Sequence, residues 1–479
     1  MNEFDYLAKA KKNMEKEKYH EVISFCDKAL KINSNLPEAY SFKGNALYNL
    51  GEYDDAAESF SHAIEKEPDE AEHYYDRSWS YCNMDKFEDA IVDMNKALEI
   101  EPKTSAFYYD RGRFEYWAER YKDAVISFTK GIELKPTENK YLFRGNSYMA
   151  LEEFDLALAD FNSAIEIDPE FARAYYRRGI LYKKMELLEN AAKDFKKAIE
   201  LDPKCDDAMT ELGFILIQMG KKDAMKYFNQ AIKAYSCSNN YYLRIVARQK
   251  ILARENSLTK LSAGEFFQDD CDINKIFNEK QATDDIKDLN KAIASDPDGY
   301  PLYEMRAERF MYLKDYKNAI EDYNFLIENS SENHSYYKMR GFCKECTGLY
   351  EEALQDCEES IELNNGYADF TLFRTRGLAN YKLSNYELAL INFSQILEME
   401  ENSEIYYLRG LVNCWLKNYF EAYFDFAKAL ELNPDIESDF DEKIPFLIGM
   451  ILAFRDGFNK DEKIPQKRNG SPIGLNGIK

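Results

Sequence analysis

The sequence predicts an all-α solenoid of antiparallel helix pairs on three observations: a 34-residue period, small residues at fixed places within it, and a proline closing it. Gly44, Gly112, Gly145, Gly179 and Gly213 are spaced by 68, 33, 34 and 34 residues, with Ser78 in the omitted step. About twelve residues after each site comes an alanine: Ala56, Ala90, Ala124, Ala157, Ala191 and Ala224, then Ala319, Ala353, Ala389 and Ala422 in the second half. Small residues recur where two helices must approach closely.

One helical turn after most of these alanines stands a bulky residue: Phe60, Met94, Phe128, Phe161, Phe195, Phe228, Tyr323 or Phe393. A second small residue follows, and Pro68, Pro102, Pro136, Pro169 and Pro203 stop the helix. Each unit reads helix, turn, helix, stop. Twelve units begin near 3, 37, 71, 105, 138, 172, 206, 266, 300, 334, 370 and 403. The first has Val22 and Cys26 where others carry alanine and an aromatic, and the eighth shows only its second helix, around Asp285 to Ile293.

The domain organisation follows. Residues 1–235 form an N-terminal block of about seven repeats, and 278–436 a C-terminal block of about five. Between them, 236–277 is an irregular linker or degenerate repeat, with a helical stretch bearing Arg244, Arg248, Lys250 and Arg254. Residues 437–458 are expected to cap the last hydrophobic face. Their apolar run, 446–454, is too short to span a bilayer, and a homodimer contact is its second reading. Residues 459–479 read as a flexible tail.

Composition excludes several functions. With 63 Lys and Arg against 87 Asp and Glu, the net charge of −24 repels phosphate backbones and anionic membranes, so neither nucleic acid nor membrane is expected as a partner. Nine scattered cysteines suggest a reducing compartment, and Met1 to Tyr6 lacks a secretion signal, so the expected location is cytoplasmic. No catalytic or metal constellation departs from the repeat register. His20, His62, His73 and His334 are isolated, and Cys343 and Cys346 have no second pair to complete a zinc site. Asp54-Asp55 and Glu351-Glu352 open second helices, where acidic side chains favour the helix N-terminus. No catalytic residue, metal or cofactor is expected, and the chain is read as not an enzyme.

An Arg precedes the Gly-type site by one residue, with an Asp 16 residues later, in Arg77/Asp93, Arg144/Asp160, Arg178/Asp194, Arg306/Asp322, Arg340/Asp356 and Arg409/Asp425. In an antiparallel pair this offset brings the charges together, predicting a ladder of Arg–carboxylate hydrogen bonds. The alternative is a row of Arg that reads an acidic ligand.

The unit 172–205, with Tyr175, Gly179, Tyr182, Ala191, Phe195, Ala198 and Pro203, resembles the tetratricopeptide repeat (TPR) family. The resemblance implies a right-handed α-solenoid, the TPR superhelix, whose first helices line a concave groove for another protein's peptide or helix. At its groove positions stand Tyr75, Trp79, Tyr109, Arg113, Tyr116, Trp117, Tyr176 and Lys183 in the N-terminal block. The C-terminal block offers Lys338, Phe342, Arg374, Tyr381, Tyr407 and Trp415. All three Trp fall in this set, and aromatic and Arg residues are the commonest interface anchors. The family's binding of chaperone C-terminal carboxylates needs Lys and Asn donors in successive units, and around Asn45 and Asn146 those donors are missing. The expected function is a non-catalytic scaffold binding a protein or peptide. The alternative is a regulatory subunit controlling an associated enzyme through movement of the two blocks.

Overall fold

Helix starts and stops follow the small-residue and proline punctuation. The computed structural model of the chain describes residues 2–255 and 278–434. These residues divide between two compact units, Met1–Ser236 and Cys237–Lys479. The first unit stacks seven antiparallel pairs: Glu3–Met14 with Tyr19–Ile32, Pro37–Leu50 with Tyr53–Lys66, Ala71–Asn83 with Phe87–Ile100, Ser105–Trp117 with Tyr121–Leu134, Glu138–Ala150 with Phe154–Ile167, Ala172–Lys184 with Leu188–Leu201, and Asp206–Gln218 with Ala224–Ala234. In the second unit the pairs are Ser238–Glu255 with Glu279–Ser295, Tyr300–Tyr312 with Tyr316–Asn329, His334–Thr347 with Tyr350–Leu363, Phe370–Lys382 with Tyr386–Met399, and Ser403–Trp415 with Tyr419–Leu432. There is no strand among the described residues. The expected cap, tail and dimer contact lie outside them.

Close approach within a pair explains the small residues. A Cβ added at Gly44, Gly112, Gly145 or Gly179 would lie 2.7 Å from the ring of Phe60, Phe128, Phe161 or Phe195, so each ring occupies the space that a side chain would need. Where Ser78 replaces the glycine, the facing residue is the narrower Met94, with Ser78 Oγ 3.2 Å from its Sδ. In the first repeat Val22 and Cys26 fill the corresponding core positions, both fully buried. The turn inside a repeat uses a residue with positive φ, a glycine at Gly51 and Gly348 but Asp85, Glu119, Glu152, Glu186 and Lys417 elsewhere. The following N–H then closes the helix end, as Lys86 donates to the Tyr81 carbonyl at 2.9 Å and Arg120 to that of Glu115 at 2.8 Å.

The six Arg–Asp pairs all form, each with two parallel bonds. Arg144 Nε and Nη2 donate to Asp160 at 2.8 and 2.7 Å, and Arg178 makes the same fork to Asp194 at 2.7 and 2.8 Å. The four others repeat it. The remaining amino group reaches back to the preceding repeat, to Ser61, Thr129, Asn162, Asn290, Asn324 or Ser394. One guanidinium therefore staples three helices. A Tyr three residues earlier lies under each, as Tyr141 does 5.5 Å from Arg144. Burial pushes the Asp93, Asp160 and Asp322 carboxyls above their usual range, and the Arg contacts oppose it. With these donors turned inward, the Arg row is structural and does not read an acidic ligand. Repeat four keeps the staple differently: Arg111 donates to Ser127, whose hydroxyl donates to Glu115.

The eighth repeat begins earlier than the expected position near 266, within the stretch 236–277 read as an irregular linker or degenerate repeat. Its first helix is Ser238–Glu255, packed on Glu279–Ser295, with residues 256–277 between them outside the described residues. Arg244 pairs with Asp288, and Arg248 bridges Asp285 and Asp288 at 2.8 Å. The Arg–Asp offset is 44 residues instead of 16, which hid this rung from a fixed-period reading.

Candidate partner-binding surface

The first helices of repeats two to six bring together aromatic and charged side chains that the repeat core does not need. Asn45 Nδ2 donates to Asp76 at 3.1 Å, the Tyr75 hydroxyl to Asp110 at 3.1 Å, and Arg113 Nη1 to Asp110 at 3.0 Å. The Arg113 guanidinium lies 4.8 Å from both the Trp79 and Trp117 ring centres, and 5.5 Å from Tyr109. Tyr109 and Tyr116 pack on Phe143, and Trp79 stands edge-on to Phe114. Both indoles are half-buried, so Trp79, Tyr109, Arg113, Tyr116 and Trp117 form one cluster with residual exposure. Tyr75, also half-buried, stacks on Phe107. Tyr176 sits on Phe195, and burial pushes its phenol up to about 12. Lys183 is exposed and pairs with Glu211 at 2.6 Å.

In the C-terminal unit the expected residues are more scattered. Lys338 pairs with Asp369 at 2.7 Å, and Arg374 reaches Glu404 at 3.1 Å and Glu345 at 3.6 Å. Phe342 packs edge-on to Tyr316 and lies 6.0 Å from Arg374. Trp415 is 61% exposed, stacked on Tyr386 with its Nε1 3.4 Å from the Tyr381 hydroxyl. Tyr407 is a correction: at 2% exposure it belongs to the core, its ring edge-on to Phe426 in a buried cluster that also holds Leu408 and Leu411. It cannot serve as a contact residue without unpacking that core. Cys343 is buried and Cys346 exposed, both free thiols.

Asp76, Asp110 and Phe143 were missed by the sequence reading. A signal existed for the two carboxylates, because Tyr74-Tyr75-Asp76-Arg77 recurs as Tyr108-Tyr109-Asp110-Arg111. Burial pushes the Asp76 carboxyl up to about 7; the Asn45 hydrogen bond opposes this and Glu72 adds to it. A folded-state pKa above the unfolded value means that the native state binds the proton more readily, so stability falls as pH rises from about 4 to about 7. Asp76→Asn is expected to stabilise the protein by about 1–2 kcal/mol at about pH 8, after allowance for partial exposure, and to change little at about pH 4. Thermal unfolding at the two pH values checks it.

Comparison with known proteins places these repeats. Models described as tetratricopeptide repeat match residues 37–70, 71–104 and 172–205, and one described as TPR repeat matches 145–186. Sperm-associated antigen 1 of Homo sapiens is 29% identical over 87 residues, 18% of this chain and 9% of that protein. A TPR repeat-containing thioredoxin of Arabidopsis thaliana is 34% identical over 79 residues, 16% of this chain and 21% of that protein. The chain thus spans less than a quarter of the length of either relative. The crystal structure of YrrB, a TPR protein with an unusual peptide-binding site, is similar at 24% identity and a TM-score of 0.33, covering 40% of this chain and 98% of that one. PilW, a type IV pilus biogenesis factor, is similar at 19% identity and a TM-score of 0.38, covering 42% and 93%. The repeat spacing, the paired helices and the matched models together identify the chain as a member of the tetratricopeptide repeat family.

Proposed function

We propose that the chain is a non-catalytic scaffold that binds a peptide or partner helix in a groove lined by the first helices of its repeats. The observation that carries this reading is the cluster of Trp79, Arg113 and Trp117, an arrangement that the structural repeat does not require. Half-buried indoles around a guanidinium offer apolar contact area and a fixed charge together, the composition of an interface anchor. Trp415, exposed on the last first-helix, is the corresponding anchor in the C-terminal unit. The similarity to a thioredoxin covers only a short stretch of either chain and carries no redox chemistry here. Eight described cysteines are free, which suits a reducing, cytoplasmic setting.

Affinity capture from the native cell with the full chain, repeated with the Trp79→Ala, Trp117→Ala double variant and separately with Trp415→Ala, tests the proposal. The double variant is expected to lose the partners held by the N-terminal unit while circular dichroism still reports a helical protein. A captured set unchanged in both arms would refute the reading.

A further inference from the structure

The cations on the first-helix faces are of two kinds. Lys183, Lys338 and Arg374 are each paired with a carboxylate of this chain. Around Tyr109 the donors are not used up. Asp110 engages Arg113 through Nη1 alone, at 3.0 Å, and is shared with the Tyr75 hydroxyl. Arg113 Nε is buried without a hydrogen-bond partner, and Nη2 has none among the described residues. Arg173, exposed at the start of the sixth repeat, forms no ion pair among the described residues, yet with Arg113 it acts on the Tyr109 hydroxyl. That hydroxyl donates to no acceptor among the described residues. The other carboxylate acting on Tyr109, Glu138, is engaged by Asn139 at 2.6 Å.

We propose that Tyr109, Arg113 and Arg173 receive the side-chain carboxylate of an Asp or Glu in a partner segment, with an adjoining apolar residue covering Trp79 and Trp117. The inference rests on the groove reading above and names the chemistry of its ligand. Arg113 lies 5.5 Å from the Tyr109 ring, Arg173 of repeat six adds its charge at the Tyr109 hydroxyl, and the two indoles hold the Arg113 fork in place, so little ordering is needed on binding. A carboxylate would form charge-assisted bonds in surroundings that the aromatic rings keep poor in water. On a chain of net charge −24, such a cluster is a local exception, which favours an acidic segment here and disfavours it elsewhere.

The test is selection of a random peptide library with amidated C termini on the full chain, followed by titration of the selected peptides. Expected are peptides with Asp or Glu beside an apolar residue, weakened by rising salt and by at least about tenfold in Arg173→Gln. Arg173→Gln is expected to melt as the wild type does, because the side chain is exposed and unpaired. Arg113→Lys, which keeps the charge but not the planar fork, is expected to weaken the same peptides. Selected peptides without acidic residues, or acidic ones indifferent to Arg173→Gln, overturn the carboxylate site. If those peptides still weaken in Trp79→Phe, the groove reading stands without it. Recovery of no binding peptide, or only of peptides indifferent to every variant, overturns both.

Discussion

Replacing Arg144 by methionine is expected to destabilise the protein by about 3–5 kcal/mol at neutral pH, with the loss shrinking as the pH falls. The guanidinium is partly buried and makes both oxygens of Asp160 its acceptors, at 2.7 and 2.8 Å. Without it, a carboxylate that burial already pushes above its usual range is left with no counter-charge. Protonation is then the cheaper state, and acidification relieves the penalty because the folded form takes up the proton first. The Arg144→Met, Asp160→Leu double variant is expected to recover much of the loss, because two apolar side chains replace a desolvated pair. The recovery is incomplete, since Thr129 also loses the Arg144 bond that joins it to the next repeat. Urea unfolding of the two variants at two pH values checks the sequence of effects; equal stability of Arg144→Met and wild type would remove the ladder as a source of stability.

Phe195→Ala is expected to cost about 3–5 kcal/mol, since the ring is fully buried and its removal leaves a cavity between the helices of one pair. The opposite error at the same contact is smaller. Gly179→Ser places a Cβ 2.7 Å from the Phe195 ring and is expected to cost about 1–3 kcal/mol by overpacking. Combining Gly179→Ser with Phe195→Met should recover part of that loss, because repeat three is built from Ser78 and Met94 at the same two places. A double-mutant cycle by urea unfolding reads the coupling, and strict additivity of the single changes would show that the two positions do not share one space.

These contacts explain which parts of the molecule were readable beforehand. Eleven of the twelve first helices begin at the residues expected from the small-residue period, because Gly, Ala and Phe are placed by one repeated steric demand. The ladder was readable for the same reason: a fixed offset between helices fixes the partner. The eighth repeat was not, since its Arg244–Asp288 rung spans an interrupted period. Tyr407 was misplaced because family position alone does not say how fully neighbouring side chains enclose a ring. The Trp79, Arg113 and Trp117 residues were named from their positions, but their convergence on one guanidinium depends on distances between successive repeats that no period encodes.

The eighth repeat also bears on how such a chain can lengthen. Its two helices are joined laterally by Arg244, Arg248, Asp285 and Asp288, so their alignment does not depend on a short turn. Because the entropic penalty of closing a longer connection grows only logarithmically, extra sequence can accumulate between two such helices while every neighbouring pair keeps its stacking register. A repeating framework thereby gains a place for unrepeated sequence without sacrificing a rung.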